Sequence, residues 1–238
     1  MTWDEICGQI YGICRNFAPI SQHVMFNLVS QDIEEYSEEH TTPESELLYR
    51  INRETHLHHL NPRMVSGPLQ GAFLSLISRL KQPKHILEIG TFTGYSALCL
   101  AEGLTADGTL DTIEIDEELE EPILQNFSQS PYRDQLKLHI GDARDILPTL
   151  DTCWDLVFID AEKQHYDAYY ELILPKVTKG GLLLIDNVLW NGKVVEEVKS
   201  NDKDTHAIMA FNDRVQQDPR VRNLLLPFRD GILCIEKL

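Results

Sequence analysis

HILEIGTFTGYS, residues 85–96, runs from an apolar stretch through a glycine-bracketed loop into the start of an amphipathic one, and its reading decides the fold. Residues 85–90 suit a strand and 94–104 a helix, so the loop between them is a β-α turn. Gly90 and Gly94 carry no Cβ, which lets the backbone turn sharply and a ligand lie against it. Their spacing is G-x-x-x-G, not the G-x-G-x-x-G of dinucleotide sites. A pyrophosphate ligand is therefore weakly indicated, and a purely structural turn stays open.

Outward from this loop the same unit repeats. Apolar runs at 109–115 (TLDTIEI), 136–141 (LKLHIG), 154–160 (WDLVFID) and 181–186 (GLLLID) read as strands, with helices at about 117–129, 142–150 and 165–177. Such runs suit a parallel sheet covered by helices on both faces. Pro122 requires the second helix to start late or to kink. After residue 186 come a polar segment (190–205), a helix (206–217) and two apolar runs (221–228 and 231–237), with Asp230-Gly231 signalling a tight turn between the runs. The sequence thus predicts an α/β fold, five parallel strands plus a terminal antiparallel hairpin, and this ending resembles the Rossmann-like class I methyltransferase sheet. In SQHVMFNLVSQDIEEYSEEH (21–40), Val24, Leu28 and Tyr36 are the apolar positions among acids, and 67–80 is a second amphipathic stretch. One domain over 1–238 is expected, with a helical N-terminal lid or dimerisation element over 1–80 and the cofactor-binding core over 85–238.

The 238 residues are 42% hydrophobic and 25% charged with 13 Gly and 11 Pro, which excludes collagen-like, repeat-array and disordered chains. At this length folding buries roughly 70% of the unfolded surface, enough for a core and a deep site. The 38 acids against 21 bases leave a formal charge of -17, which repels phosphate backbones and anionic membranes. Cys7, Cys14, Cys99, Cys153 and Cys234 show no zinc or redox spacing and are expected as buried free thiols in a reducing cytosol. With no basic leader and no run of about 18 apolar residues, a soluble cytoplasmic protein with no membrane partner is expected.

Glu114 ends the next strand 24 residues after Gly90, near the distance of roughly 20 at which an acid reaches ribose hydroxyls. Asp142-Ala143-Arg144 follows the third strand, where an adenine ring would lie. Each alone reads as a solvated cap; together they point to an adenosine-containing ligand. EIGTFTGYSALCLA, with FIDAEK, LLIDNVLWNG and the terminal DGILCIEKL, resembles the metal-dependent O-methyltransferase family that includes catechol and caffeoyl-CoA O-methyltransferases. The resemblance spans about residues 40–238 and implies S-adenosylmethionine bound over the first two strands. It implies that Glu114 holds the ribose, Ser96 the methionine carboxylate, Gly90 and Phe92 the wall, and Ala143 and Arg144 the adenine edge. Glu88 and Asp160 join the cofactor set, and Met64 and Ser66 match the segment that closes over it. The catechol-enzyme pattern has a hydroxyl residue and an amide where Ala143-Arg144 stand here.

Asp160 ends the fourth strand and Asp186-Asn187 the fifth. Adjacent parallel strands lie about 4.8 Å apart, so these oxygens can share one cation; hard oxygen ligands suit Mg²⁺ first, then Mn²⁺ or Ca²⁺. Acids that merely satisfy loop amides are the bland alternative. Lys163, three residues after Asp160, is the catalytic base that the resemblance implies; burial or a nearby cation is what brings a lysine into range for that role. A substrate with two adjacent oxygens would chelate the cation, Lys163 would accept the proton, and the oxygen would attack the sulfonium methyl in line. Trp190 and Tyr166 flank the site, either stacking on an aromatic substrate or serving as core or rim aromatics. His56, His58 and His59 read as a helix end before Pro62, and EELEE (117–121) as a solvated helix start. The leading acceptor is a small phenolic substrate with vicinal hydroxyls. The first alternative is a tRNA 5-hydroxyuridine oxygen, disfavoured by charge; a distant one is an NAD-dependent reductase or a scaffold without catalysis. The resemblance also implies a homodimer.

Overall fold

The computed structural model describes residues 29–238, so Cys7, Cys14 and the part of the N-terminal helical stretch before residue 29 lie outside the described residues. Seven strands form one sheet: β1 (His85–Ile89), β2 (Thr109–Glu114), β3 (Leu136–Ile140), β4 (Trp154–Ile159), β5 (Val177–Ile185), β6 (Val221–Leu226) and β7 (Ile232–Lys237). Their order is β3-β2-β1-β4-β5-β7-β6. The first five are parallel, and β7 runs antiparallel between β5 and β6. The α/β sheet with its terminal hairpin is the architecture expected. The order reverses between β1 and β4, which opens a crevice at the carboxyl ends of those strands.

Alternation along the strands builds two cores. Leu87, Ile89, Ile113, Val157, Ile159, Leu183 and Ile185 face one side, with α6 (Ala143–Ile146), α7 (Tyr166–Ile173) and α8 (Lys203–Gln217) packed over them. Ile86, Leu110, Leu156, Phe158 and Leu184 face the other, under α2 (Glu46–His58), α3 (Gly67–Lys81), α4 (Tyr95–Ala101) and α5 (Glu120–Ser128). The remaining helix, α1 (Gln31–Glu39), buries no residue. Helices α2 and α3 supply Leu48, Ile51 and Leu74 to the same core as β1, so they are part of its packing.

Several local expectations are refined. A 3-10 turn (Glu117–Leu119) precedes α5, which places Pro122 in that helix's first turn, where its missing N–H has no intrahelical partner to lose. The hairpin loop runs five residues, 227–231, and its Phe228–Gly231 turn is closed by the Gly231 amide donating to the Phe228 carbonyl at 2.9 Å. Free thiols are not uniformly buried: Cys99 is, Cys234 is half-buried and Cys153 is exposed on the loop before β4. Among the described residues no helix is long and apolar enough to cross a membrane.

Candidate active site

Hydrogen bonding continues one residue past the strand tips. The amides of Gly90, Asp160, Asp186 and Gly141 donate to Ile113, Ile89, Ile159 and Glu114 carbonyls at 3.0, 2.9, 2.9 and 2.8 Å. The residues that follow therefore hold fixed relative positions on the rim of one cleft with a volume of about 1410 Å³. Met64, Ser66, Gly90, Phe92, Ser96, Glu114, Ala143, Arg144, Asp160, Lys163, Asp186, Asn187 and Trp190 all line it.

On the β1–β3 side the loop 90–94 is held by backbone chemistry. Gly90 has φ 96°, and a Cβ there would stand 2.0 Å from the Asp160 carbonyl oxygen, so only glycine fits. Glu114, 7% exposed, accepts from the Phe92 amide through Oε2 at 2.7 Å and from the Ile115 and Asp116 amides through Oε1 at 2.9 and 3.0 Å. A carboxylate oxygen has two lone-pair sites, so Oε2 keeps one for a hydroxyl. Glu88 is fully buried beneath the loop, where Thr112 donates to its Oε2 at 2.6 Å. Burial pushes its carboxyl up to about 8 against the opposing Ser96 and Thr112 hydroxyls. The structure thus corrects its expected place in the cofactor set: it supports the loop and does not reach the cleft. Arg144 is gripped by Asp142 through Nε and Nη2, and that grip holds the Asp142 carboxyl down at about 2. Its Nη1 donates to His165 Nε2 at 3.0 Å. Met64 is exposed on the 3-10 turn Pro62–Met64, and Ser66 leads into α3.

On the β4–β5 side, side chains converge. Lys163 Nζ donates to Asp160 Oδ1 at 2.9 Å, Asn187 Oδ1 at 2.6 Å and Tyr166 Oη at 2.8 Å. Asn187 sits in the left-handed region, φ 58°, which turns the chain at the tip of β5. Asp186 is buried; its Oδ2 accepts from Gln70 Nε2 at 2.7 Å and its Oδ1 from the Asn187 amide at 2.8 Å. Burial first, then the neighbouring Asp160 charge, pushes its carboxyl up to about 7. Tyr166 is 1% exposed, packs edge-on to Phe211 and donates to the Asp186 carbonyl at 2.9 Å. It has no free face, so the expectation that it stacks on a substrate is corrected: it orients Lys163. Trp190 does line the cleft, its ring 5.9 Å from Lys163 Nζ.

This donor set fits a divalent cation. An ammonium already stands where Asp160 and Asn187 oxygens converge, and two neighbouring acids repel in the absence of a compensating charge. Among the described residues no three His, Cys, Asp or Glu side chains form a metal cluster, because the third donor here is an amide oxygen. The His56–His59 segment adds no donor to this set: His56 bonds the Asn52 carbonyl, and His59, which lines the cleft with His58, packs edge-on against Phe92.

Gln70, His165, Arg229 and Asp230 line or brace the cleft without having been anticipated there. A signal for Gln70 exists: it lies on the buried stripe of α3 with Gly71, Leu74, Ser75 and Ser78, where an amide is out of place unless it has a partner.

A family model described as O-methyltransferase matches residues 37–238. A probable caffeoyl-CoA O-methyltransferase 2 of Dictyostelium discoideum is 32% identical over 211 residues, 86% of this chain and 89% of that one. A catechol O-methyltransferase of Niastella koreensis is 37% identical over 140 residues, 57% of this chain and 63% of that one. An O-methyltransferase from Bacillus cereus, solved in complex with SAH, superposes with a TM-score of 0.80 at 29% identity, covering 87% of this chain and 97% of that one.

Proposed function

This chain belongs to the O-methyltransferase family and is an S-adenosylmethionine-dependent O-methyltransferase of the caffeoyl-CoA and catechol type, and we propose that it methylates small aromatics with vicinal hydroxyls by a cation-dependent route. The observation that carries the reading is the convergence of Asp160 and Asn187 oxygens within 3 Å of Lys163 Nζ, with buried Asp186 close enough to feel the Asp160 and Lys163 charges. Asp160, Asp186 and Asn187 would hold the cation, which would supply charge stabilisation to the acceptor oxygen, and the cofactor would supply the sulfonium methyl.

The chain's own residues do the rest. Glu114 retains a lone pair for the ribose, Gly90 and Phe92 wall the cofactor, Ser96 faces its methionine end, and Ala143 and Arg144 border the adenine. Lys163 Nζ, positioned by Tyr166 Oη and Asp160, would take the hydroxyl proton from its neutral amine form, having first given up one of the protons it donates here. Trp190 offers its ring to the acceptor, and the 58–66 segment over the cleft limits water. Catalysis then rests on alignment and on electrostatic stabilisation of the nucleophile, with no covalent enzyme intermediate.

The rim acids Asp116, Glu118, Glu162 and Asp204 oppose a tRNA acceptor, and membership of this family removes the reductase reading. A homodimer is part of the same proposal, checked by light scattering at twice the chain mass. Incubation with S-adenosylmethionine, Mg²⁺ and catechols should yield methyl ethers, and EDTA should abolish them; turnover that persists after chelation refutes the route.

A further inference from the structure

One cation in the acceptor half of the cleft forms no ion pair among the described residues. Lys163 is tied to Asp160 and Arg144 to Asp142, but the half-buried guanidinium of Arg229 makes no ion pair or side-chain hydrogen bond among the described residues. Asp230 and Glu38 feel its charge, yet neither forms an ion pair with it. Arg63, also without an ion pair among the described residues, stands exposed on the rim.

Arg229 also holds a left-handed backbone, φ 50°, which costs a side-chain-bearing residue energy that glycine avoids. Of the six non-glycine residues with positive φ in the described chain, Phe92, Asn187, Trp190 and Arg229 line this cleft. Strain of this kind gathers at ligand sites, held by the surrounding structure. Here the restraint is visible: the amides of Val188 and Leu189 donate to the Gly231 and Asp230 carbonyls at 3.1 and 2.9 Å, fastening loop 227–231 to the segment that carries Asn187 and Trp190. Arg229 Nη1 lies 3.7 Å from where a Cβ on Gly67 would stand, at the start of the helix whose Gln70 holds Asp186. The guanidinium is thus placed between the cation site and the roof, at the tip of β7. That strand is three places from β1, about 14 Å across the sheet from the cofactor loop.

We propose that Arg229 is a specificity-determining residue that binds a carboxylate on the acceptor, so that vicinal-dihydroxy aromatic acids are favoured over neutral catechols. The inference rests on the O-methyltransferase reading above. A guanidinium presents two parallel N–H donors that match a carboxylate, and in a closed cleft such a pair is strong. The methionine carboxylate of the cofactor carries the same chemistry, but the place of Arg229 beyond β4 and β5 favours the acceptor.

The test compares full-length wild type with Arg229→Gly and Arg229→Asn, both tolerant of left-handed backbone, and with Arg229→Lys. Turnover is measured on 3,4-dihydroxybenzoate, 3,4-dihydroxycinnamate and catechol with Mg²⁺, alongside calorimetric binding of SAH and of the two acids to the SAH and Mg²⁺ complex. The kcat/KM ratio of the better acid over catechol should fall about tenfold or more in the Gly and Asn variants and partly recover in Lys, with SAH affinity within about twofold throughout. A ratio unchanged in Arg229→Gly overturns the proposal, and so does SAH affinity falling by the same factor, which assigns the guanidinium to the cofactor. Absence of turnover on every acceptor sinks the functional reading instead; calorimetry of the acids, with affinity lost or kept in Arg229→Gly, then still decides the role of Arg229.

Discussion

Along the tips of β1–β3 the cleft is made of backbone: amides gathered on Glu114, and a glycine loop pressed against the Asp160 carbonyl. Along the tips of β4, β5 and β7 it is made of side chains: Asp160, Asn187 and Tyr166 around one ammonium, Gln70 on Asp186, and Arg229 without a partner among the described residues. The first half satisfies most of its polar groups from within, Glu88 Oε1 excepted, so it is largely preformed. The second concentrates like charges and left-handed residues, Asn187, Trp190, Asn191 and Arg229, and so calls for ligands to balance it. A common cofactor can be read by the first half while the second sets the acceptor.

The comparison is broken most severely by removing charge from the second half. Asp186→Ala should lower methyl transfer by at least ~10³-fold and abolish Mn²⁺ binding in calorimetry, with SAH affinity changing far less. An equal loss of SAH binding would show that the halves are not separable. Gly90→Ala attacks the seam between them. Backbone, not a movable side chain, meets the new Cβ, so thermal or urea unfolding should report a loss of about 3 kcal/mol, with SAH and Mn²⁺ affinity falling together.

Glu88→Gln sharpens the account of the first half. The Glu88 carboxyl lies at about 8 when folded against 4.5 when free, so between those values it is neutral folded and ionised unfolded. Wild-type stability should therefore decline as pH rises from 4.5 to 8, with about 3 kcal/mol of the loss in place by pH 7. The glutamine has no proton to lose, and the difference in unfolding free energy should grow in its favour across that window; parallel curves would refute the buried-acid argument. The smallest effect is expected for Gln70→Ala, about 10- to 100-fold in Mn²⁺ affinity measured by calorimetry, because it removes the donor that aims Asp186 and no ligand itself.

Legibility in the sequence follows the same division. Residues 85–96 and the strand-end acids Glu114, Asp160 and Asp186 were readable because each lies where a short apolar run stops, and the carboxyl ends of parallel strands lie on one side of the sheet. Glu88 and Tyr166 were misplaced for a related reason: alternation says which face a residue takes, but not whether a loop or helix closes over it. Gln70 and Arg229 come from α3 and the last hairpin, 116 and 43 residues from Asp186, and only packing brings them to the same cleft.

The sequence by itself determined the parallel sheet, its antiparallel ending, the glycine turn and the identity of the acids at the strand tips, because these depend on local periodicity and on backbone sterics. Tertiary structure alone decided which of those groups face the cleft, which are sealed beneath it, and which charge is left without a partner among the described residues. Burial and electrostatic pairing are sums over neighbours that lie far apart along the chain.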